Sequence, residues 1–361
     1  MKKIGILTFY NTTNYGALLQ MYALYQTLNN TGLDTSIIRY SCEAVEKREN
    51  LKLSDAKSIK QFVRRLILKF PNCEKQKHFR EFEREHFDYS KYVYNSDNIG
   101  EINNEYKEVV VGSDQVWNIH LTEGDMGFFL KGVEDVKKVS YAASFGMEKL
   151  DLDTESEVAP LLKQFDSISV REISGVDIVR KAFGGNANFV LDPTFLLASN
   201  EWDILIDKEP IASKPYVLLY LIQNKKKTID YARKIAKING WDIKYVNISP
   251  YHVYGVQNIR SASPTEFLRL VKKAGLVITG SYHGLALSIN YSKPVYYELN
   301  DGAQNYNARI SSLISTLKME KCRLNYNCFE MPQIEYDIVQ KRVAEMRKES
   351  KEVLFSMCEG L

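Results

Sequence analysis

The segment Gly280-Ser281-Tyr282-His283-Gly284 sets an imidazole between glycines directly after the apolar run Leu276–Thr279. Glycines beside a reactive side chain let a ligand approach the backbone closely. An imidazole titrates near neutrality and can give or take a proton at physiological pH. A helix starting at this point offers free N–H groups and a positive dipole end, which suit a phosphate or carboxylate. The other histidines, His78, His86, His120 and His252, have no such setting, and His78 and His86 fall on a charged stretch read as an exposed helix. Arg171 directly follows the apolar run Ser167–Val170. A guanidinium at a strand end is either a salt-bridge partner or an anion clamp.

Polar clusters follow other apolar runs in the same way. Asn11, Asn14, Tyr15 and Gly16 follow Ile4–Phe9; Ser113, Asp114 and Trp117 follow Glu108–Gly112; Ser144 follows Lys138–Ala142; Asp192-Pro193 follows Phe189–Leu191. Each has a plain structural alternative. Asn14 and Gly16 suit a helix cap, Ser113-Asp114 can cap the next element, Trp117 can be core, and Asp192-Pro193 reads mainly as a turn. No HExxH, cysteine-pair or calcium-loop pattern occurs, and no GxxxxGK[ST] or GxGxxG, so neither a metal nor a nucleotide cofactor is expected.

The elements that must position these groups alternate between strand and helix. The first set runs through a strand at Ile4–Phe9, a helix at Ala17–Asn29 and a strand at Thr35–Tyr40. Strands at Glu108–Gly112, Lys138–Ala142 and Ser167–Val170 follow. A second set holds strands Tyr216–Ile222, Asp242–Val246, Leu276–Thr279 and Pro294–Glu298, with helices at Lys227–Ile238, from the Ser263 cap and at Gly284–Asn290. Such alternation predicts two parallel-sheet α/β domains. The expected division is 1–200, with a helical insertion at about 50–95, then 201–330, then a last helix within 331–361 that packs across the halves. Ligands of open parallel sheets bind beyond the carboxyl ends of the strands, so the polar clusters should meet in a cleft between the domains.

Bulk properties narrow the classes. A length of 361 residues suits two domains, and 45% hydrophobic with 26% charged residues fits a folded chain. A net charge of +3 argues against a nucleic-acid partner. Five cysteines without a CxxC pair read as reduced thiols, and a cytoplasmic location is expected. Ile4–Tyr10 is short and lacks a small-residue cleavage pattern, so it reads as a strand and not as a signal peptide. Residues 56–70 carry five basic residues, no acidic one, and an apolar helical stripe of Ile59, Phe62, Val63, Leu66, Ile67 and Phe70. Two readings stand: a core-facing helix with a solvated basic face, or peripheral contact with anionic lipid or a lipid-linked acceptor at the inner membrane leaflet.

Taken together, the motifs resemble the polysaccharide pyruvyl transferase family. The matching pieces are Asn14–Gln20 (NYGALLQ), Gly112–Asn118 (GSDQVWN), Ser140–Gly146 (SYAASFG), Ser169–Glu172 (SVRE), Leu191–Thr194 (LDPT) and Gly280–Gly284 (GSYHG). The resemblance implies two Rossmann-like domains facing across a cleft, as in B-type glycosyltransferases. It implies transfer of pyruvate from phosphoenolpyruvate to sugar hydroxyls, as a ketal, in capsular or exopolysaccharide biosynthesis. It implies a glycan or lipid-linked oligosaccharide acceptor, phosphoenolpyruvate as donor substrate and no separate cofactor. It carries Arg171 and His283 over as catalytic residues, with Gly280, Ser281, Tyr282 and Gly284 around the donor. Asn11, Asn14, Tyr15, Ser113, Asp114 and Trp117 fall on the acceptor side. The family's arginine–leucine–histidine triplet reads Ser281-Tyr282-His283 here, so its arginine is missing. Another cation must then meet the donor phosphate. Arg309, beside Asn307, is the first choice and Lys293 the second. Two other functions fit the same layout: a B-type glycosyltransferase using a nucleotide sugar, with Glu266 or Glu298 on its ribose, and a non-catalytic carbohydrate-binding protein.

Overall fold

The computed structural model describes residues 3–49, 58–206, 214–223, 225–247, 252–300 and 307–358; Ala56 and Lys57 of the basic segment lie outside them. The first domain opens with β1 (Lys3–Leu7), α1 (Tyr15–Asn29), β2 (Thr35–Tyr40), α2 (Glu43–Glu49), α3 (Ile59–His86) and β3 (Tyr89–Tyr94). It continues with β4 (Tyr106–Val111), α4 (Ile119–Thr122), β5 (Lys137–Ala143), α5 (Leu152–Leu162), β6 (Ser167–Val170), α6 (Ile173–Phe183), β7 (Asn188–Phe189) and α7 (Ser199–Trp202). The second holds β8 (Tyr216–Tyr220), α8 (Lys226–Asn239), β9 (Asp242–Val246), β10 (Gln257–Ile259), α9 (Pro264–Lys273), β11 (Leu276–Thr279), α10 (Tyr282–Asn290), β12 (Val295–Tyr297) and α11 (Ala308–Leu317). A long helix, α12 (Tyr336–Met357), closes the described chain.

Both sheets are parallel throughout. Their strand orders are β3-β2-β1-β4-β5-β6-β7 and β10-β9-β8-β11-β12, the same doubly wound order in each. The central strands are apolar on both faces because helices cover both, as in the run Val109-Val110-Val111 of β4. Close strand contact has a requirement at Gly5, where a Cβ would stand 2.6 Å from Ile38 Cδ1 and 2.8 Å from Tyr106.

Helix α1 is buried almost all round and belongs to both domains. Its Leu18, Leu24 and Leu28 share one continuous core with Phe267, Leu285 and Leu287 of the second domain. Polar ties add to this seam. Asn290 Nδ2 donates to the carbonyls of Thr194 (2.9 Å) and Leu197 (2.8 Å). Helix α12 bonds to both sides: Ser350 Oγ accepts from Leu191 N at 3.0 Å, and Gln340 Nε2 donates to Ile289 O at 2.6 Å.

Three features differ from the sequence expectation. The insertion at 50–95 is not wholly helical, because Tyr89–Tyr94 forms the parallel edge strand beside β2. Its central residues are exposed, so no clear apolar alternation betrays it. The apolar stripe at Ile59–Phe70 faces outward instead of into the core. His78 and His86 are not exposed: His78 Nδ1 lies 2.7 Å from Ser261 O, and the His86 ring packs 4.4 Å from Phe82.

Candidate active site

In each sheet the strand order reverses beside its first strand, between β1 and β4 and between β8 and β11. The segments that follow β4, β6 and β11 converge there. Arg171, one residue beyond β6, donates from Nη2 to Asp114 Oδ1 at 2.8 Å and from Nη1 to Asp192 Oδ2 at 2.6 Å. His283 comes from the other domain, in the first turn of α10. Its Nε2 lies 3.5 Å from Arg171 Nη1 and 3.5 Å from Asp192 Oδ2. Arg309, in the first turn of α11, places Nη1 3.9 Å from Asp114 Oδ1. The Tyr282 ring lies beneath both guanidinium groups, 5.0 Å from Arg171 and 5.9 Å from Arg309.

Local chemistry explains how each side chain is held. Asp114 takes the left-handed backbone conformation (φ 73°), uncommon for a residue with a side chain and often found at functional sites. Its carbonyl accepts from Ser144 N at 3.0 Å, which ties the β4 and β5 loops together. Asp192 uses Oδ1 to cap the turn at Pro193, accepting from Thr194 N (3.0 Å) and Thr194 Oγ1 (2.8 Å). That leaves Oδ2 for Arg171. Glu172 braces the β5 loop through Oε1, which accepts from Ser144 Oγ, Phe145 N and Gly146 N at 2.8, 3.0 and 3.2 Å. Ser281 caps α10, accepting from Gly284 N at 3.4 Å. At Gly16 a Cβ would fall 2.0 Å from His283 Nδ1. The imidazole therefore packs against the first turn of α1, and the amino ends of α1 and α10 meet. Both helices turn their positive dipole ends toward the cluster.

The charges are strongly coupled. Burial pushes the Asp114 carboxyl up, but Arg171, His283 and Arg309 outweigh it and hold its pKa below the ordinary value. Burial likewise raises the Asp192 carboxyl, and His283 and Arg171 pull it far lower. Desolvation works against the Arg171 charge, yet its two aspartates raise its pKa further still. Arg309 is lowered, first by burial and then by the charge of Arg171. Burial raises Glu172 despite the neighbouring Arg171. Arg309 Nε, Arg171 Nε and Glu172 Oε2 are buried with no hydrogen-bond partner among the described residues.

Not every residue singled out in the sequence reaches this cluster. Tyr15 is a packing residue and not a sugar contact. Its ring stacks on Phe267 at 4.5 Å, and its hydroxyl donates to Ala262 O at 2.8 Å. Trp117 is also core, fully buried, with Nε1 donating to Phe128 O at 3.0 Å. Ser113 does touch the cluster: it is fully buried, with Oγ 2.8 Å from Ala142 O and 3.5 Å from Asp192 Oδ2. Asn307 spends its amide on Asn300, 3.0 Å to the carbonyl and 2.9 Å from the N–H, and so ties α11 to the end of β12. Asn11 and Asn14 are exposed, and Asn14 Oδ1 caps α1. Gly280 is buried, and a Cβ there would make ordinary contact with Asn300 Oδ1 at 3.5 Å and Glu298 O at 3.6 Å. Lys293 lies beyond the opposite end of α10 from His283, so of the two substitute cations only Arg309 is at the site. Arg171 is wholly buried, and both Nη atoms already hold carboxylates. Its Nε–H has no hydrogen-bond partner among the described residues. Asp192, which reads in the sequence as a turn former, both caps that turn and holds Arg171. Among the described residues, no group of three or more His, Cys, Asp or Glu side chains is arranged to hold a metal ion.

Two doubly wound parallel-sheet domains are the fold of B-type glycosyltransferases and of sugar-nucleotide epimerases. The pattern of the polysaccharide pyruvyl transferase family matches residues 14–301, and the chain belongs to that family. No curated protein matches the sequence. Among solved structures, the UDP-GlcNAc 2-epimerase of Methanocaldococcus jannaschii is 13% identical, with TM-score 0.56 and 99% of each chain covered. The putative UDP-N-acetylglucosamine 2-epimerase of Listeria monocytogenes is 10% identical, with TM-score 0.54, covering 98% of this chain and 91% of the other. The Neisseria meningitidis UDP-GlcNAc 2-epimerase is 9% identical, with TM-score 0.53 and 99% of each chain covered. At such identities the likeness is one of fold alone. Among the described residues no helix is long and apolar enough to cross a membrane.

Proposed function

We propose that this transferase moves the pyruvyl group of phosphoenolpyruvate onto a pair of sugar hydroxyls, as a ketal, in the biosynthesis of a capsular or exopolysaccharide. The observation that carries this reading is the contact of His283 with the Arg171–Asp192 pair across the domain seam, at 3.5 Å from each. It unites an acid–base group with guanidinium cations and two helix amino ends, as protonation of an anionic enol ester requires.

His283 Nε2 lies between a carboxylate oxygen that accepts its proton and a guanidinium that donates to its lone pair. That nitrogen has a partner in either protonation state, a geometry suited to giving and retaking a proton. In the proposed sequence a proton from His283 goes to C3 of the donor, and C2 becomes electrophilic. One sugar hydroxyl bonds to C2 and loses its proton, and the C2–O bond to phosphate breaks. The proton of the first hydroxyl restores His283; the second hydroxyl then closes the ketal and gives its proton to the departed phosphate, the other product. Arg309, with its partnerless Nε, meets the donor phosphate in place of the family's missing arginine. In this reading the donor carboxylate meets Arg171, and Asp114 and Asn14 orient acceptor hydroxyls. The acceptor is a glycan or a lipid-linked oligosaccharide, and the enzyme works in the cytoplasm.

A thermal-shift and phosphate-release comparison tests this. Phosphoenolpyruvate should raise the melting point, because a ligand that binds only the folded state stabilises it. His283→Ala should lower turnover by about 10²–10⁴-fold while the chain stays folded. Arg309→Ala should raise the KM for phosphoenolpyruvate. Stabilisation by nucleotide sugars alone would move the assignment to a glycosyltransferase. That alternative has less support at Glu298, whose oxygens are held by Lys225, Tyr326 and Thr228.

A further inference from the structure

We propose that the first half of α3 docks on an anionic lipid surface. Ile59, Phe62, Val63, Leu66, Ile67 and Phe70 are 85, 45, 46, 51, 51 and 87% exposed. With successive residues turned by about 100°, the six occupy one arc of roughly 140°. Lys60 and Lys69 fall at its two edges, and residues 56–70 hold five basic residues and no acidic one. Beyond Pro71 the same helix enters the core: Lys75, Phe79 and Phe82 are buried. There it is tied to the second domain, with Ser261 Oγ donating to Glu74 Oε2 at 2.5 Å. The exposed stripe is thus carried on an anchored helix. A groove of about 710 Å³ lies beside Phe70, lined also by Ile67, Pro71, Glu74, Lys77 and Arg260.

A contiguous apolar strip of this kind on a surface marks a contact site. Lipid is the occupant the charges select. An apolar arc with lysines along both margins matches a helix lying in the membrane plane, its apolar side chains at the acyl boundary and its lysines reaching anionic headgroups. A second copy of the chain would bring the same lysine margins against one another, and like charges there repel. The proposal is independent of the donor the active site takes.

Vesicle flotation tests it, with phosphatidylcholine vesicles that either contain or lack phosphatidylglycerol. The wild-type chain should float with the anionic vesicles and only weakly with neutral ones. Each basic residue at an anionic surface contributes about fivefold in affinity, so the Lys60→Glu/Lys69→Glu variant should bind at least about 25-fold more weakly. Leu66→Gln/Ile67→Gln should abolish binding. Both variants should keep the wild-type melting point, because the altered side chains are exposed. Equal flotation of wild type and the charge-reversed variant overturns the proposal, as does absence of binding to either vesicle. Vesicle-independent dimers that Leu66→Gln/Ile67→Gln disrupts would assign the face to a second copy and overturn it as well.

Discussion

Asp192→Asn tests the centre of the cluster most directly. Asp192 is fully buried, and its Oδ2 accepts from Arg171 at 2.6 Å while facing His283 Nε2 at 3.5 Å. Asparagine keeps an oxygen for Thr194 and removes the charge. A buried hydrogen bond to a charged group contributes about 1.5–3 kcal/mol, and breaking a buried ion pair costs about 3–5 kcal/mol. Arg171 retains Asp114 as a second carboxylate, so the expected loss at neutral pH is about 2–4 kcal/mol. The sign with pH follows from the depressed Asp192 pKa. Its stabilisation is fully present above the ordinary carboxylate value and declines as pH falls toward the folded-state value. Urea unfolding should therefore show the wild-type advantage shrinking progressively below about pH 4. Thr194→Val, which removes the hydrogen bond of 2.8 Å to Oδ1 but leaves the Asp192 charge and its contact with Arg171 in place, should cost about 1.5–3 kcal/mol and serves as the control for the loss of charge. In the phosphate-release assay Asp192→Asn should lose about 10²–10⁴-fold in kcat, since His283 loses the carboxylate that accepts its proton. A loss below about 1 kcal/mol, with turnover within about threefold of wild type, refutes the view that Asp192 positions this pair.

Other substitutions probe other parts of the structure. Gly16→Ala would normally gain about 1 kcal/mol within a helix, but a Cβ 2.0 Å from His283 Nδ1 reverses the sign. The variant should be destabilised by about 1–3 kcal/mol, and displacement of the imidazole should lower turnover by about 10²-fold, read by urea unfolding and phosphate release. Glu83 on α3 has its carboxyl pushed up to about 7 by burial. A raised acid favours the folded state while protonated, so this contribution is lost as pH rises from the ordinary value, about 4.5, to about 7. Glu83→Gln should be more stable than wild type at pH 8 by about 1–3 kcal/mol and equal to it at pH 4, measured by denaturant titration.

Much of this protein is set by local sequence. Strand–helix alternation predicts both parallel sheets, because apolar runs such as Val109–Val111 and Leu276–Thr279 can be buried on both faces only between layers of helix. Local chemistry also marks Arg171, Asp114 and His283, since each follows a strand and the carboxyl ends of parallel strands are where such folds gather ligands. Other features arise only when distant segments meet. Asp192 looks like a turn former because its Oδ1 does cap a turn, while its Oδ2 finds Arg171, distant in sequence, only through the pairing of β6 with β7. Tyr15 and Trp117 have the composition of sugar-binding residues, yet Phe267 and Phe129 stack on them and remove them from solvent. The stripe on α3 has the periodicity of a core helix, and periodicity records which side chains share a face without saying what covers it. The choice of Arg309 over Lys293 likewise depends on which end of α10 each one lies near. Sequence specifies the faces and ends of individual elements; which of them meet is decided by packing between residues far apart in the chain.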